Sequence, residues 1–256
     1  MTDSILYTRD GALARLTFNR PASLNAMGFE MGRRWRDLAH EVTSDATVGA
    51  VILDANGPAF CAGGDVVEMA TSGAAGADVT GAAHTIHDGI RTLVESATPI
   101  VAAVQGAVAG GGLGLMLAAD YVVAAPEARF VSKYANIGLT PDLGVSTLLA
   151  AAVGQRRALQ LLLQDRTIDA ETALDWGLVS EVAADPGARA EEVARFWLAG
   201  ATAAFGQAKR LVRTGAGRSF AENLDDEART IGAAFDTDAS RQRVAAFAAA
   251  SRPRTP

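Results

Sequence analysis

The sequence predicts an α/β protein with a helical C-terminal region. Over the first two thirds of the chain, short buried or alternating segments take turns with segments whose apolar residues recur at helical spacing. Toward the C-terminus the strand signals fade and helical periodicity remains. A chain of 256 residues that is 49% hydrophobic is long enough to bury a large core and carry a smaller appendage. The expected division is a core domain over 1–195 and a helical oligomerisation region over 196–256.

Ala12 to Phe18 alternates. Ala12, Ala14, Leu16 and Phe18 face one way and Arg15 and Thr17 the other, so a strand is expected that Asn19-Arg20-Pro21 ends. Met31, Trp35, Leu38 and Val42 share one helical face, which predicts an amphipathic helix over Gly28 to Val42. Ala50 to Leu53 reads as a short buried strand, and Pro58 to Asp65 as a glycine-containing loop. Val66 to Gly81 is small, polar and glycine-rich and is expected to be a mobile loop before a helix over Ala82 to Glu95.

Ile100 to Val104 is a β-branched buried strand, and Gly110-Gly111-Gly112 then opens an apolar helix, Leu113 to Ala119. Tyr121 to Ala124 is a third core strand, and Phe130 to Ser132 is short and extended. Helices dominate from Val145, and Ser219 onward reads as two of them. Ile231, Phe235, Val244 and Phe247 give that pair apolar faces suited to a partner subunit, so a homo-oligomer is expected.

The net charge of −6 argues against nucleic-acid binding, because phosphate contacts need a basic face. The cluster Arg33, Arg34 and Arg36 reads as a solvated helix surface. The single cysteine, Cys61, allows no intrachain disulfide. No apolar run reaches the roughly 18–20 residues that span a bilayer, since Gln105 and the glycines interrupt Pro99 to Leu117. The first residues lack a charged segment followed by an apolar one. A soluble cytoplasmic protein with no membrane partner is the expectation.

Three segments could carry chemistry. Gly110-Gly111-Gly112 before a helix leaves backbone N–H groups bare, which suits an anion or a developing oxyanion and equally suits a tight strand-to-helix turn. Ala59-Phe60-Cys61-Ala62-Gly63-Gly64-Asp65 would let the backbone approach a ligand closely, or be a plain loop. Cys61 has no basic neighbour in sequence to activate it as a nucleophile. Asp142, in Gly138-Leu139-Thr140-Pro141-Asp142-Leu143-Gly144, reads either as the N-cap of the helix at Val145 or as a carboxylate aimed into a site. His84 and His87 lie one helical turn apart with too few neighbouring ligands for a metal, so no metal site is expected.

Taken in order, these segments resemble the crotonase (enoyl-CoA hydratase/isomerase) superfamily. The resemblance rests on Asn19-Arg20-Pro21 with Leu24-Asn25-Ala26, on Ala59 to Asp65, on Pro99 to Gly106, and on Gly110-Gly111-Gly112. It continues through Ala119-Asp120, Ile137 to Asp142 and Ala173 to Val179, and so covers nearly the whole chain. It implies a crotonase-type spiral of ββα units, assembly as a homotrimer or hexamer, and an acyl-CoA thioester as substrate. It implies no cofactor beyond coenzyme A as part of that substrate. It places the two oxyanion-hole amides at Gly64 and Gly111, where they would stabilise an enolate oxygen.

The departures narrow the expected reaction. Hydratases of this superfamily carry two glutamates, and their places here are Gly114 and Tyr134, so hydration by that pair is not expected. The setting of Asp142 resembles the epoxyphenylacetyl-CoA isomerase and enoyl-CoA isomerase branch, in which one carboxylate moves a proton between carbons. Asp142 is therefore expected to be catalytic with Gly64 and Gly111, and Ala62, Asp65, His87, Gly110 and Tyr134 to bind substrate. Asp142 and His87 also resemble the aspartate and histidine of 4-chlorobenzoyl-CoA dehalogenase, although Tyr134 stands where that enzyme has a tryptophan and Gly64 where it has an aromatic residue. Hydration, aryl-CoA dehalogenation and a non-catalytic acyl-CoA-binding subunit are the alternatives to isomerisation. The RNA binding known for some relatives is disfavoured by the acidic balance.

Overall fold

The computed structural model describes residues 3–164 and 166–250. The first two residues of the N-terminal segment and residues 251–256 of the expected C-terminal region lie outside the described residues.

The chain opens with an antiparallel hairpin, β1 (Ile5–Asp10) and β2 (Leu13–Phe18), followed by α1 (Phe29–Ser44). Three ββα turns come next. In the first, β3 (Ala50–Ala55) leads to Cys61 and then to α2 (Val66–Thr71) and α3 (Gly76–Glu95). The second is β4 (Ile100–Val104), β5 (Ala107–Ala109) and α4 (Gly111–Leu117). The third is β6 (Tyr121–Ala124), β7 (Arg129–Val131) and α5 (Val145–Val153). The chain continues through α6 (Gln155–Leu163), β8 (Thr167–Asp169), α7 (Ala170–Trp176) and β9 (Glu181–Val182). It then runs through α8 (Pro186–Ala199), α9 (Thr202–Gly215), α10 (Phe220–Phe235) and α11 (Asp238–Ala250).

Each turn of the spiral feeds two sheets. The leading strands join a six-stranded sheet of order β1-β2-β3-β4-β6-β9, parallel except for the hairpin. The following strands form a second sheet, β5-β7-β8, which Cys61 reaches through a parallel bridge to Val108. The corner between β4 and β5 admits only glycine. A Cβ on Gly106, at φ +56°, would stand 1.9 Å from the Pro58 carbonyl oxygen.

Period-two alternation divides the core. Val51, Leu53, Ile100, Ala102 and Val104 face the main core, while Ala50, Ile52, Val101, Ala103 and Val123 meet Ala190, Val193 and Ala194 of α8 on the opposite face. The expected boundary after residue 195 therefore falls inside α8, a helix packed on the large sheet. Among the described residues no helix is long and apolar enough to cross a membrane.

The sequence reading missed β1, β5, β8 and β9 and misread one helical segment as a loop. β1 was not anticipated, and its run from a buried Ile5 to an exposed Asp10 shows why: its outer half has no apolar alternation to read. The segment Val66 to Gly81 is not a loop. It holds α2 and the first turns of α3, and α2 is started by Asp65, whose Oδ1 accepts from the Glu68 N–H at 3.0 Å.

The motif at Asn25 is structural. This fully buried residue, at φ +56°, accepts from Arg20 N–H and donates to the carbonyls of Asn56 and Ala59, fastening two loops below the sheet. Asp120 does similar work. It accepts from Ile100 N–H at 2.9 Å and from Arg213 at 3.1 Å, and it stands 3.2 Å from the buried ammonium of Lys209 on α9.

Candidate active site

Two glycine loops meet where the spiral turns. One enters α2 through Gly63 and Gly64; the other enters α4 through Gly110 and Gly111. A Cβ on Gly63, at φ +102°, would lie 2.9 Å from the Ala109 carbonyl oxygen and 3.3 Å from the Gly111 nitrogen. A Cβ on Gly112 would lie 2.3 Å from the Cys61 carbonyl oxygen. Only glycine permits this contact, which sets two backbone segments together. Among the described residues the Gly64 amide donates to no protein group. Gly111 is the first residue of α4, where a helical N–H has no intrahelical acceptor. Both glycines line one cavity of about 330 Å³.

Asp142 lines the same cavity and is the only carboxylate to do so among the described residues. It does not cap α5. The residue before that helix is Gly144, at φ +78°, and no side chain caps it. The Asp142 Oδ1 instead accepts from the Tyr134 hydroxyl at 2.5 Å. Tyr134 is buried, and burial followed by the charge of Asp142 raises its phenol well above the ordinary tyrosine range, so the hydroxyl stays a donor. That hydroxyl also lies 3.6 Å from the Cβ position of Gly111.

The next residue, Leu143, holds a left-handed backbone at φ +49° and donates its N–H to His87 Nε2 at 3.0 Å. Its side chain comes within 2.7 Å of the Cβ position of Gly111. Accepting at Nε2 makes His87 a neutral imidazole protonated at Nδ1. His84 is exposed, with its ring 6.5 Å from that of His87, and no group of three potential metal ligands occurs among the described residues.

A carboxylate held by a phenol opposite two bare amides suits proton transfer beside a carbonyl. The family model for enoyl-CoA hydratase/isomerase matches residues 8–254. The chain belongs to that family.

Its relatives in the family have different activities in their names. A Mycobacterium tuberculosis protein named as a probable enoyl-CoA hydratase is 34% identical over 96% of this chain and 95% of its own. The 1,2-epoxyphenylacetyl-CoA isomerase of Escherichia coli is 30% identical over 99% of this chain and 98% of its own. A 4-chlorobenzoyl coenzyme A dehalogenase of an Arthrobacter species is 31% identical over 92% and 87%. The enoyl-CoA hydratase structure from Mycobacterium smegmatis superposes with a TM-score of 0.90 at 26% identity, covering 99% of both chains. The α/β spiral is thus the fold of the enoyl-CoA hydratase/isomerase family.

Gly114, where the resemblance puts the first hydratase glutamate, has no room for a side chain. A Cβ on Gly114 would lie 2.0 Å from the Leu143 carbonyl oxygen, so the turn carrying Asp142 sits where that side chain would start. The second place holds Tyr134, which reaches Asp142.

The remaining predicted residues divide. Ala62 and Gly64 line both the 330 Å³ cavity and an adjoining one of about 750 Å³. Gly110, at φ +51°, lines the smaller cavity, and its own N–H is taken by the Val131 carbonyl. Asp65 lines the larger cavity, but its carboxylate caps α2 and pairs with Arg20 at 2.8 Å. Glu95 is exposed, whereas Glu68 is half-buried and its Oε2 accepts from the Phe29 N–H at 3.0 Å, tying the start of α1 to α2. Cys61 is fully buried, which pushes its thiol up to about 12 and leaves it inert.

Sequence reasoning missed the two hydrogen bonds that order the site, Tyr134 to Asp142 and Leu143 to His87. It named Asp142 as the catalytic carboxylate and His87 and Tyr134 as substrate-binding residues, but joined none of them by a hydrogen bond.

Proposed function

We propose that the protein is a double-bond isomerase acting on an acyl-CoA thioester, with Asp142 as the single proton shuttle. The supporting observation is that one carboxylate lines the cavity among the described residues, and that the Leu143 carbonyl fills the place from which a hydratase glutamate would project. In a 3-enoyl thioester, Asp142 removes a proton from C2, and the electron pair forms a dienolate with its oxygen on the amides of Gly64 and Gly111. Protonated Asp142 then returns the proton to C4, giving the conjugated 2-enoyl thioester. The larger cavity adjoining Gly64 is the proposed seat of the coenzyme A portion, which is part of the substrate and not a separate cofactor. The exposed apolar residues of α10 and α11, among them Ile231, Phe235 and Val244, support assembly as a homotrimer or hexamer.

Hydration is the weaker reading, because water would have to be activated without a second carboxylate. Dehalogenation is weaker too, because His87 Nε2 already accepts from Leu143 and is not free to take a proton from water. A binding-only subunit would hold thioester and convert none. The test is product analysis with 3-hexenoyl-CoA. Isomerisation gives a 2-enoyl thioester absorbance that rises and persists. A signal that rises and then decays to 3-hydroxyhexanoyl-CoA would mean that hydration follows isomerisation, and binding without any product would overturn the isomerase reading, with water addition to 2-hexenoyl-CoA then separating a hydratase from a binding-only subunit.

A further inference from the structure

We infer that His87 is a positioning residue: as a hydrogen-bond acceptor it fixes the Leu143 turn, and through that turn it aims Asp142 and seats Leu143 against the oxyanion glycine. This deepens the isomerase reading and rests on it for the role of Asp142; the hydrogen bond itself does not.

Leu143, at φ +49°, is strained, because its Cβ crowds its own backbone, and such a residue persists only where its surroundings hold it. Three contacts hold this one. Its N–H goes to His87 Nε2 at 3.0 Å, its carbonyl oxygen lies over Gly114, and its side chain lies over Gly111. The two glycine contacts are steric and set no direction by themselves. The histidine contact is directional, and it joins α3 to the turn across 56 residues of sequence. Asp142 precedes Leu143, so the rotation that the hydrogen bond imposes on the 142–143 peptide is shared by the carboxylate-bearing residue.

The device works only while His87 is neutral. A protonated imidazole carries N–H on both nitrogens, and Nε2–H would then face Leu143 N–H, donor against donor. Four groups bear on that ring. His84 lies one turn back on α3, and Lys133, Tyr134 and Asp142 line the facing wall of the cavity. On the side of α1, Asp88 is taken by His40 and Arg91. At the α9 end of α3, Lys209 is directed to Leu93 and Ser96.

The experiment is nitrogen-15 imidazole NMR on the full chain with labelled histidine and leucine, read from pH 8 to pH 5, alongside kinetics of His87→Leu and His87→Gln with 3-hexenoyl-CoA. The expected spectrum at pH 8 is an Nδ1–H tautomer for His87, with the Leu143 amide shifting as His87 protonates. His87→Leu should lose roughly tenfold or more in kcat. His87→Gln, whose amide oxygen accepts at every pH, should recover most of that loss and flatten the acid side of the profile, which a residue that merely fills space would not do. An Nε2–H tautomer at pH 8, a Leu143 amide indifferent to His87 protonation, or a His87→Leu variant as active as the wild type beside an inactive Asp142→Asn would each overturn the inference. Activity retained in Asp142→Asn, or no turnover by any form, would instead remove the isomerase reading, and the NMR result would still decide the role of His87.

Discussion

The carbonyl oxygen of Leu143 lies 2.0 Å from the point that a Cβ on Gly114 would occupy. One residue before Leu143 is Asp142, whose carboxylate faces the cavity, and one turn of α4 before Gly114 is Gly111. The absence of a side chain at 114 and the placement of Asp142 are therefore two sides of one arrangement: the 142–144 turn rests on α4, and Asp142 lines the cavity it shares with Gly64 and Gly111.

Gly114→Ala should show this coupling. The added methyl meets backbone, which cannot rotate away, so the 142–144 turn must lift. The expected destabilisation is about 1–3 kcal/mol, as for overpacking of a buried site. Turnover should fall by more than stability alone explains, because Asp142 moves with the turn. Urea denaturation beside steady-state kinetics at a temperature where the variant is folded separates the two effects. Full activity in a destabilised variant would mean that the turn does not aim the carboxylate.

Tyr134→Phe keeps the ring and deletes the donor to Asp142. Hydrogen bonds to charged groups contribute about 1.5–3 kcal/mol, which is roughly 10–100-fold in rate if the bond is needed in the transition state. The loss should appear in kcat with KM little changed, because the hydroxyl orients the base and does not grip the thioester. A rise in KM with kcat intact would place Tyr134 in substrate binding instead.

Lys209 gives a prediction about pH. Burial lowers its ammonium from the ordinary 10.5 to about 8, against the opposing pull of Asp120. Between those pH values the unfolded chain holds a proton that the native protein has released, so stability from this group rises with pH across that window. Lys209→Met has no such group. The free energy of unfolding of the wild type, taken relative to that variant, should increase by on the order of 2 kcal/mol from pH 8 to pH 10. A difference that does not move with pH would show that the lysine keeps its proton.

The fold and the frame of the site were legible where the signal is local. β-branched runs gave the central strands, and glycine pairs marked the places where backbones cross. Those glycines stand out because no other residue fits 2.9 Å from the Ala109 carbonyl or 2.3 Å from that of Cys61. The start of α2 was signalled as well, by Asp65 three residues before Glu68, but the reading of Val66 to Gly81 as a small, polar loop did not use that signal. What could not be read depends on the spiral bringing distant segments together. His87 finds Leu143 across 56 residues, and Lys209 finds the Leu93 and Thr98 carbonyls across 116 and 111. The Tyr134 to Asp142 bond spans only eight residues. It still leaves no periodic trace, because a short 3-10 turn, Ala135–Ile137, and the irregular segment after it set its geometry.

The central claim is that one carboxylate carries the proton both ways, and the most direct measurement is turnover of 3-hexenoyl-CoA by the wild type and by Asp142→Asn, with thioester binding measured on both. Asparagine preserves the shape and can still accept from Tyr134, but it cannot take a proton. The account predicts that 2-enoyl thioester formation falls by about 10²–10⁴-fold in the variant while binding changes little. Isomerisation at the wild-type rate by Asp142→Asn would contradict it.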